Sequence, residues 1–291
     1  MDDLAGLAVS ILVQGVAYAM VLYLVSVGLS VTMGLMGFVN LAHGAFAMFG
    51  GYVVVVLANT FHAGFPVAVI ASVLAVGAVS IAFERVLYAP LYGASDLNQV
   101  MMTYGLILMS IATANYVFGP LPITIQYPEV LRGSVTIAGR DFPVYRLFLI
   151  GAGGAVIAAL WLGLEWTNFG AQVRAAVDNG RMAQSLGINT RFLFVATFAL
   201  GCGLAALGGA LGADVLAISP SYPLDHILYF LIVVSVGGLG ALRGAFLASL
   251  LLGFSDTAFK YVLPQFGAFF IYAALFAVLL LRPAGLFALK W

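Results

Sequence analysis

Arg174 and Asp178 stand four residues apart, with Arg181 three further on, inside FGAQVRAAVDNGRMAQSLGIN (169–189), the longest polar run of this chain. On a helix that spacing lays opposite charges along one face, and Phe169, Val173 and Val177 form the other. This is the pattern of an amphipathic helix lying at a membrane surface. The Asn179-Gly180 step predicts a break into two short helices. Gly187 ends the second, and Asn189 or Thr190 caps the helix that follows. Two readings stay open here: a solvated loop whose charges keep it out of the bilayer, or a docking element. In the second, Ala171, Ala175, Ala176 and Ala183 among fixed charges let a partner approach closely.

Asn40 and His43 are three apart in a glycine-rich interruption, GLMGFVNLAHGAF (34–46). Polar groups inside a membrane are costly and by default functional candidates. His43 either contacts a solute or binds a backbone carbonyl freed by the glycines. Asn115 reads as a hydrogen-bonding contact between helices. Asp256 and Lys260, four apart near the end of an apolar run, are expected to pair at the interface.

Enzyme chemistry finds no support. The two lysines, Lys260 and Lys290, follow Phe259 and Leu289, so no G-x-x-x-x-G-K-[ST] phosphate loop exists and the chain cannot power itself with ATP. The three histidines (43, 62, 226) form no H-E-x-x-H, and no serine sits in a G-x-S-x-G elbow. No metal set and no bound cofactor are expected.

The elements that must carry these residues are membrane spans. Of 291 residues 64% are hydrophobic and 8% charged, against about 25% charged in soluble domains, and mean hydropathy is +1.13. Eleven Lys/Arg balance eleven Asp/Glu, leaving no basic field for nucleic acid. A lone cysteine, Cys202 between glycines, excludes a disulfide framework and reads as a packing residue. Asp2 and Asp3 stand where a signal peptide needs basic residues, so no cleaved signal is expected.

A span needs about 20 mostly apolar residues. Apolar runs fall at 4–33, to about 57 after the first interruption, at 65–83, 100–118, 147–166, 192–213, 227–236, 245–259 and 263–281. The expected fold is all-α, a single transmembrane domain over 1–291 with about eight or nine spans. Between 119 and 146 lies a second polar segment with four prolines, whose SVTIAGRDFPV stretch predicts a hairpin. Gly201, Ala205, Gly209 and Ala213 recur every four residues, a stripe permitting close helix contact. A second glycine-rich interruption, GGLGALRGAF (237–246), matches the first. Short, Gly-interrupted runs in both halves point to a translocation path and to internal, inverted repeats. Its candidate residues are Gly37, Asn40, His43, Gly44, Gly237, Gly238, Gly240 and Gly244.

The positive-inside rule ties on the two polar segments. Arg282 and Lys290 break the tie, placing the C-terminus with 167–190 in the cytoplasm and the N-terminus with the 119–146 loop outside.

FVNLAHGAFAMFGGY (38–52), the run at 174–211, VVSVGGLGALRGAF (233–246) and LLLRPAGLF (279–287) together resemble the permeases of the branched-chain amino acid family of bacterial ABC importers, in order, spacing and most of the length. The form is LivH-like. The resemblance implies an inner-membrane permease subunit for a small polar solute, branched-chain or other amino acids, paired with a second, LivM-like permease or with its own copy. It implies two ATPase subunits and a periplasmic binding protein. By the same resemblance 169–189 is the coupling loop, with Arg174, Asp178, Asn179, Arg181 and Gly187 meeting an ATPase. Where LivH-like relatives often carry an acid after the His-Gly step this chain has Ala45, and the family also handles urea, short amides and other small carboxylates. The rival reading is a stand-alone channel or secondary transporter for a urea- or amide-class solute.

Overall fold

The computed structural model describes residues 2–281 apart from 126 and 138. Arg282 and Lys290, which carry the predicted orientation, lie outside them, as does the end of the 279–287 motif. The helices are α1 (Asp2–Met36), α2 (His43–Val55), α3 (Phe65–Phe83), α4 (Asp96–Phe118), α5 (Val144–Glu165), α6 (Asn168–Asp178), α7 (Gly180–Ser185), α8 (Thr190–Gly212), α9 (Tyr222–Gly237), α10 (Leu242–Val262) and α11 (Gly267–Leu281). Hydrocarbon offers no hydrogen bonds, so a spanning backbone must satisfy its own, and helices do this. Among the described residues seven helices are long and apolar enough to cross a membrane, and α9 is a shorter apolar helix. The expected hairpin is present: β1 (Ser134–Ile137) pairs antiparallel with β2 (Arg140–Pro143).

The bundle is organised around α8, which packs against α1, α2 and α3. The predicted small-residue stripe makes this possible. Gly201 lies against Gly28 of α1, and Gly209 against Ala47 of α2. On α2, Gly50 meets Ala206. A second close crossing joins α1 to α10, where a side chain at Gly253 would begin 2.9 Å from the Ala19 α-carbon. Without a hydrophobic force between helices in lipid, such backbone proximity supplies the van der Waals contact that holds them. In contrast, α4 and α5 leave most of their surface open.

The two polar segments occupy opposite ends of the bundle. At one end the hairpin's Arg140 donates to Ser10 of α1 (3.4 Å), Arg146 pairs with Asp214 (3.2 Å), and Asn59 bonds Thr124. At the other, α6 and α7 pack on Leu35 and Leu193, and Arg243 pairs with Glu165 (2.6 Å).

Several expectations need correction. The interruption at 237–246 is narrower than the glycines imply: Leu242 to Phe246 is helical, so α10 is a full span rather than a short one. Likewise Gly34 belongs to α1 and Gly44 to α2. Glycine in a membrane helix is tolerated when it lets another backbone come near, and Gly237 and Gly244 do this with each other. The run begun at 227 starts at Tyr222, with Pro223 in the first turn, a favoured helix-start position. Asn115 bonds the Ile111 carbonyl of its own helix rather than a neighbour.

Candidate functional site

The first break is short. Gly37 ends α1 in a left-handed conformation (φ +59°), and residues 38–42 connect it to α2. Buried non-helical backbone needs outside partners, and side chains provide them. Gln99, buried at the start of α4, accepts from the Val39 N–H (3.2 Å) and donates to the Leu91 and Ala94 carbonyls (both 3.3 Å). Tyr88 donates to Asn40 Oδ1 (2.9 Å), while Phe38 packs on the Tyr88 and Tyr92 rings. Asn40 Nδ2 has no partner among the described residues. His43, fully buried, bonds the Val25 carbonyl of α1 through Nε2 (3.1 Å) and leaves Nδ1 unpaired. Its partner is a mid-helix carbonyl, not one freed by a glycine.

Beside this cluster Tyr92 donates to Glu84, a carboxylate buried in the turn after α3. Burial first, and then that hydrogen bond, push the Tyr92 hydroxyl well above its ordinary 10, which keeps it a donor.

The second break spans Gly238 to Ala241, between α9 and α10, with Gly238 at φ +90° and Gly240 at φ +74°. It is bound to α1 by the Gly240 N–H to the Ser30 carbonyl (3.1 Å), and a Cβ on Gly34 would stand 2.7 Å from that nitrogen. The two shortened helices also meet: a Cβ on Gly44, in the first turn of α2, would stand 3.2 Å from the α-carbon of Pro223 in the first turn of α9.

At the far end, Asn179 separates α6 from α7 and accepts from the Met182 N–H (3.0 Å). Gly187 (φ +83°) ends α7, and Asn189 caps α8 through the Phe192 N–H (3.0 Å). These three features match expectation. The face assignment holds for Phe169 and Val173 but not for Val177. Val173, Ala176 and Ala183 are buried on Leu35 and Leu193 with Phe169 against them, whereas Val177 is exposed. Among the described residues Arg174 does not pair with Asp178; its guanidinium donates to the Leu164 carbonyl and clamps α6 onto the end of α5. Asp178 and Arg181 are exposed beside Val177, Met182 (59% exposed) and Leu186 (75%).

Asp256 pairs with Lys260 (2.5 Å) as expected, but it is 2% exposed and the lysine also lies over the Tyr18 ring, 5.4 Å from its centre. A buried carboxylate stripped of its cation costs about 3–5 kcal/mol. Lys260→Met should therefore lower the thermal midpoint of the purified protein more than the Asp256→Asn, Lys260→Met pair does, measured by tryptophan fluorescence in detergent. Sequence reasoning missed Tyr88, Gln99, Tyr222 and Asp225. The Ser-Tyr-Pro step at 221–223 was the signal for the last two, since proline in a first turn marks a helix start.

Close-packed apolar helices, two glycine-ended breaks and a helix pair with exposed apolar and charged side chains define a multi-pass membrane permease that catalyses no reaction of its own. The chain belongs to the family of permease components of branched-chain amino acid transport systems, whose sequence model matches residues 11–279. Among its relatives, the high-affinity branched-chain amino acid transport permease BraD of Pseudomonas aeruginosa is 27% identical, with 94% of each chain covered. LivH of Escherichia coli K12 is 27% identical over 94% of this chain and 93% of its own. A probable LivH of Methanocaldococcus jannaschii is 26% identical over 97% and 93%. No solved structure matches significantly. In this family ATP hydrolysis belongs to separate subunits, and the chain is the membrane component of an ABC importer.

Proposed function

We propose that this chain and a second permease, LivM-like or a second copy, enclose the path by which branched-chain or related small amino acids cross an inner membrane. Two ATPase subunits dock on the α6–α7 end in the cytoplasm. A periplasmic binding protein delivers solute at the hairpin end, which places the N-terminus outside and the C-terminus in the cytoplasm. ATP stays on the partner subunits, and this chain binds no cofactor.

The observation that carries the reading is the two-sided character of α6 and α7. One side is anchored to the bundle through Val173, Ala176 and Ala183, so a push on the pair is transmitted to α1, α5 and α8. The other presents Val177, Met182 and Leu186 among Asp178 and Arg181. Apolar anchors ringed by charge are what a protein partner buries. The names of the relatives support the substrate class. The breaks at 37–42 and 238–241 are the points where α1, α2, α9 and α10 can change angle during alternating access, with Asn40 and His43 between them and the moving helices.

The test is purification from native membranes in mild detergent without added partners, followed by mass spectrometry and reconstitution. Two ATPase subunits and a second permease co-purifying, with uptake dependent on ATP and a binding protein, is the expected result. A lone protein that transports urea or an amide in liposomes would favour the channel reading and overturn this one.

A further inference from the structure

Asp225 is out of place for a lipid-facing residue. It lies in the first turn of α9 and is exposed, next to exposed Leu224 and Leu228. Its depth follows from its neighbours. Ser10 of α1 is level with the hairpin's Arg140. Pro223, in the same turn of α9, packs against Gly44 beside His43, which bonds the Val25 carbonyl about 22 Å further along α1 at ~1.5 Å per residue. From there α9 runs to Gly238 and Gly240 on Ser30. Asp225 is thus inside a hydrocarbon layer about 30 Å thick. Asp256, the other carboxylate in this part of the bundle, is buried and paired.

At the start of a soluble helix such a carboxylate would be an ordinary partner of the helix dipole, and Ser221 does donate to its Oδ2 (2.6 Å). The other oxygen has no partner among the described residues. An exposed, half-satisfied carboxylate against hydrocarbon is too costly to persist, so the face that carries it must meet water or a polar occupant. Tyr222 Oη and His226 Nδ1, on the same two turns, also lack partners among the described residues, but both atoms are buried inside the bundle rather than on this face. The helix itself packs on α1, α2 and α10 and touches α4 and α11, so this face is what the bundle leaves uncovered.

We infer that the open face of α9 lines the solute path and that Asp225, with Ser221 beside it, receives the solute's primary ammonium within the membrane. The carboxylate and the serine oxygen accept from a three-donor ammonium, and the carboxylate's charge repels a carboxylate-only solute. The inference rests on the importer reading above and adds the residue that meets the substrate's charged nitrogen.

The experiment uses the assembled transporter in liposomes. The natural cysteine, Cys202, is fully buried and supplies a silent background. Asp225→Cys, and separately Ser221→Cys, should react within minutes with a cationic, water-soluble methanethiosulfonate, and on reaction of Ser221→Cys, which keeps the carboxylate, uptake should fall at least tenfold. Leu74→Cys on the exposed, apolar face of α3 should not react. Reactivity at 225 and 221 no greater than at 74 overturns the proposal. Asp225→Asn, which keeps an acceptor for Ser221, should carry at least tenfold less amino acid per ATP hydrolysed. Unchanged uptake by that variant overturns it too. A wild-type complex that carries amides but no amino acid would sink the amino acid reading, and thiol reactivity at 225 would still decide whether α9 lines the path.

Discussion

Replacing Gly209 by leucine is expected to abolish accumulation of folded protein in the membrane. A Cβ at this position would begin 2.5 Å from the carbonyl carbon of Ala47 and 3.0 Å from its α-carbon, contacts with backbone that no rotamer change relieves. Helices α2 and α8 must separate, and α8 is also the helix on which α1 and α3 pack. Overpacking a well-fitted core typically costs about 1–3 kcal/mol. Backbone displacement at a helix shared by three neighbours belongs in the class beyond about 4–5 kcal/mol, which unfolds most domains. Gly154→Leu on α5, where nothing lies within 4 Å, is the control and should be nearly neutral. Size-exclusion profiles of fluorescent fusions in mild detergent give the comparison. A monodisperse peak for Gly209→Leu equal to that of Gly154→Leu would show that α2 and α8 do not meet as described.

Leu186→Asp is expected to do the opposite: folded protein accumulates, and transport is lost. Leu186 is 75% exposed at the end of α7, so its replacement removes no internal contact. A charge placed among Val177 and Met182 desolvates poorly against a partner. Loss of an interface anchor costs about 2 kcal/mol or more, roughly thirtyfold in association with the ATPase subunits. Asp178→Arg, which reverses a charge on the same exposed face, should likewise leave the protein in the membrane while ATP hydrolysis and uptake come apart. Arg174→Glu is a different experiment. Arg174 holds α6 to the Leu164 carbonyl, so its loss loosens the lever rather than the docking face. Co-purification of the ATPase with Arg174→Glu but not with Leu186→Asp would separate the two roles. Normal ATP-coupled uptake by Leu186→Asp would remove α7 from the docking surface.

How much was legible before folding depends on how local the cause is. The break at Asn179, the Gly187 stop, the Asn189 cap and the hairpin at 134–143 were legible because each is decided by a short local stretch. The small-residue stripe of α8 was legible as a stripe, but its partners were not, since glycine spacing does not say which backbone approaches. The face of α6 was misread for the same reason. Val173 and Val177 are chemically alike, and only the position of Leu35 and Leu193 decides that the first is buried and the second exposed.

The amino-acid order alone establishes a multi-span helical membrane protein with glycine-rich breaks, a surface helix pair and no means of hydrolysing ATP, because hydropathy, helix-end chemistry and missing motifs are properties of short stretches. Tertiary structure alone decides where those stretches stand. It makes Gly44, Gly237 and Gly244 points of helix contact, because a glycine bends or packs according to what backbone lies opposite. It sets Gln99 and Tyr88 against the first break from 60 and 48 residues away. And it sets Asp225, an unremarkable acid at a helix start, on the face of α9 that the bundle leaves open.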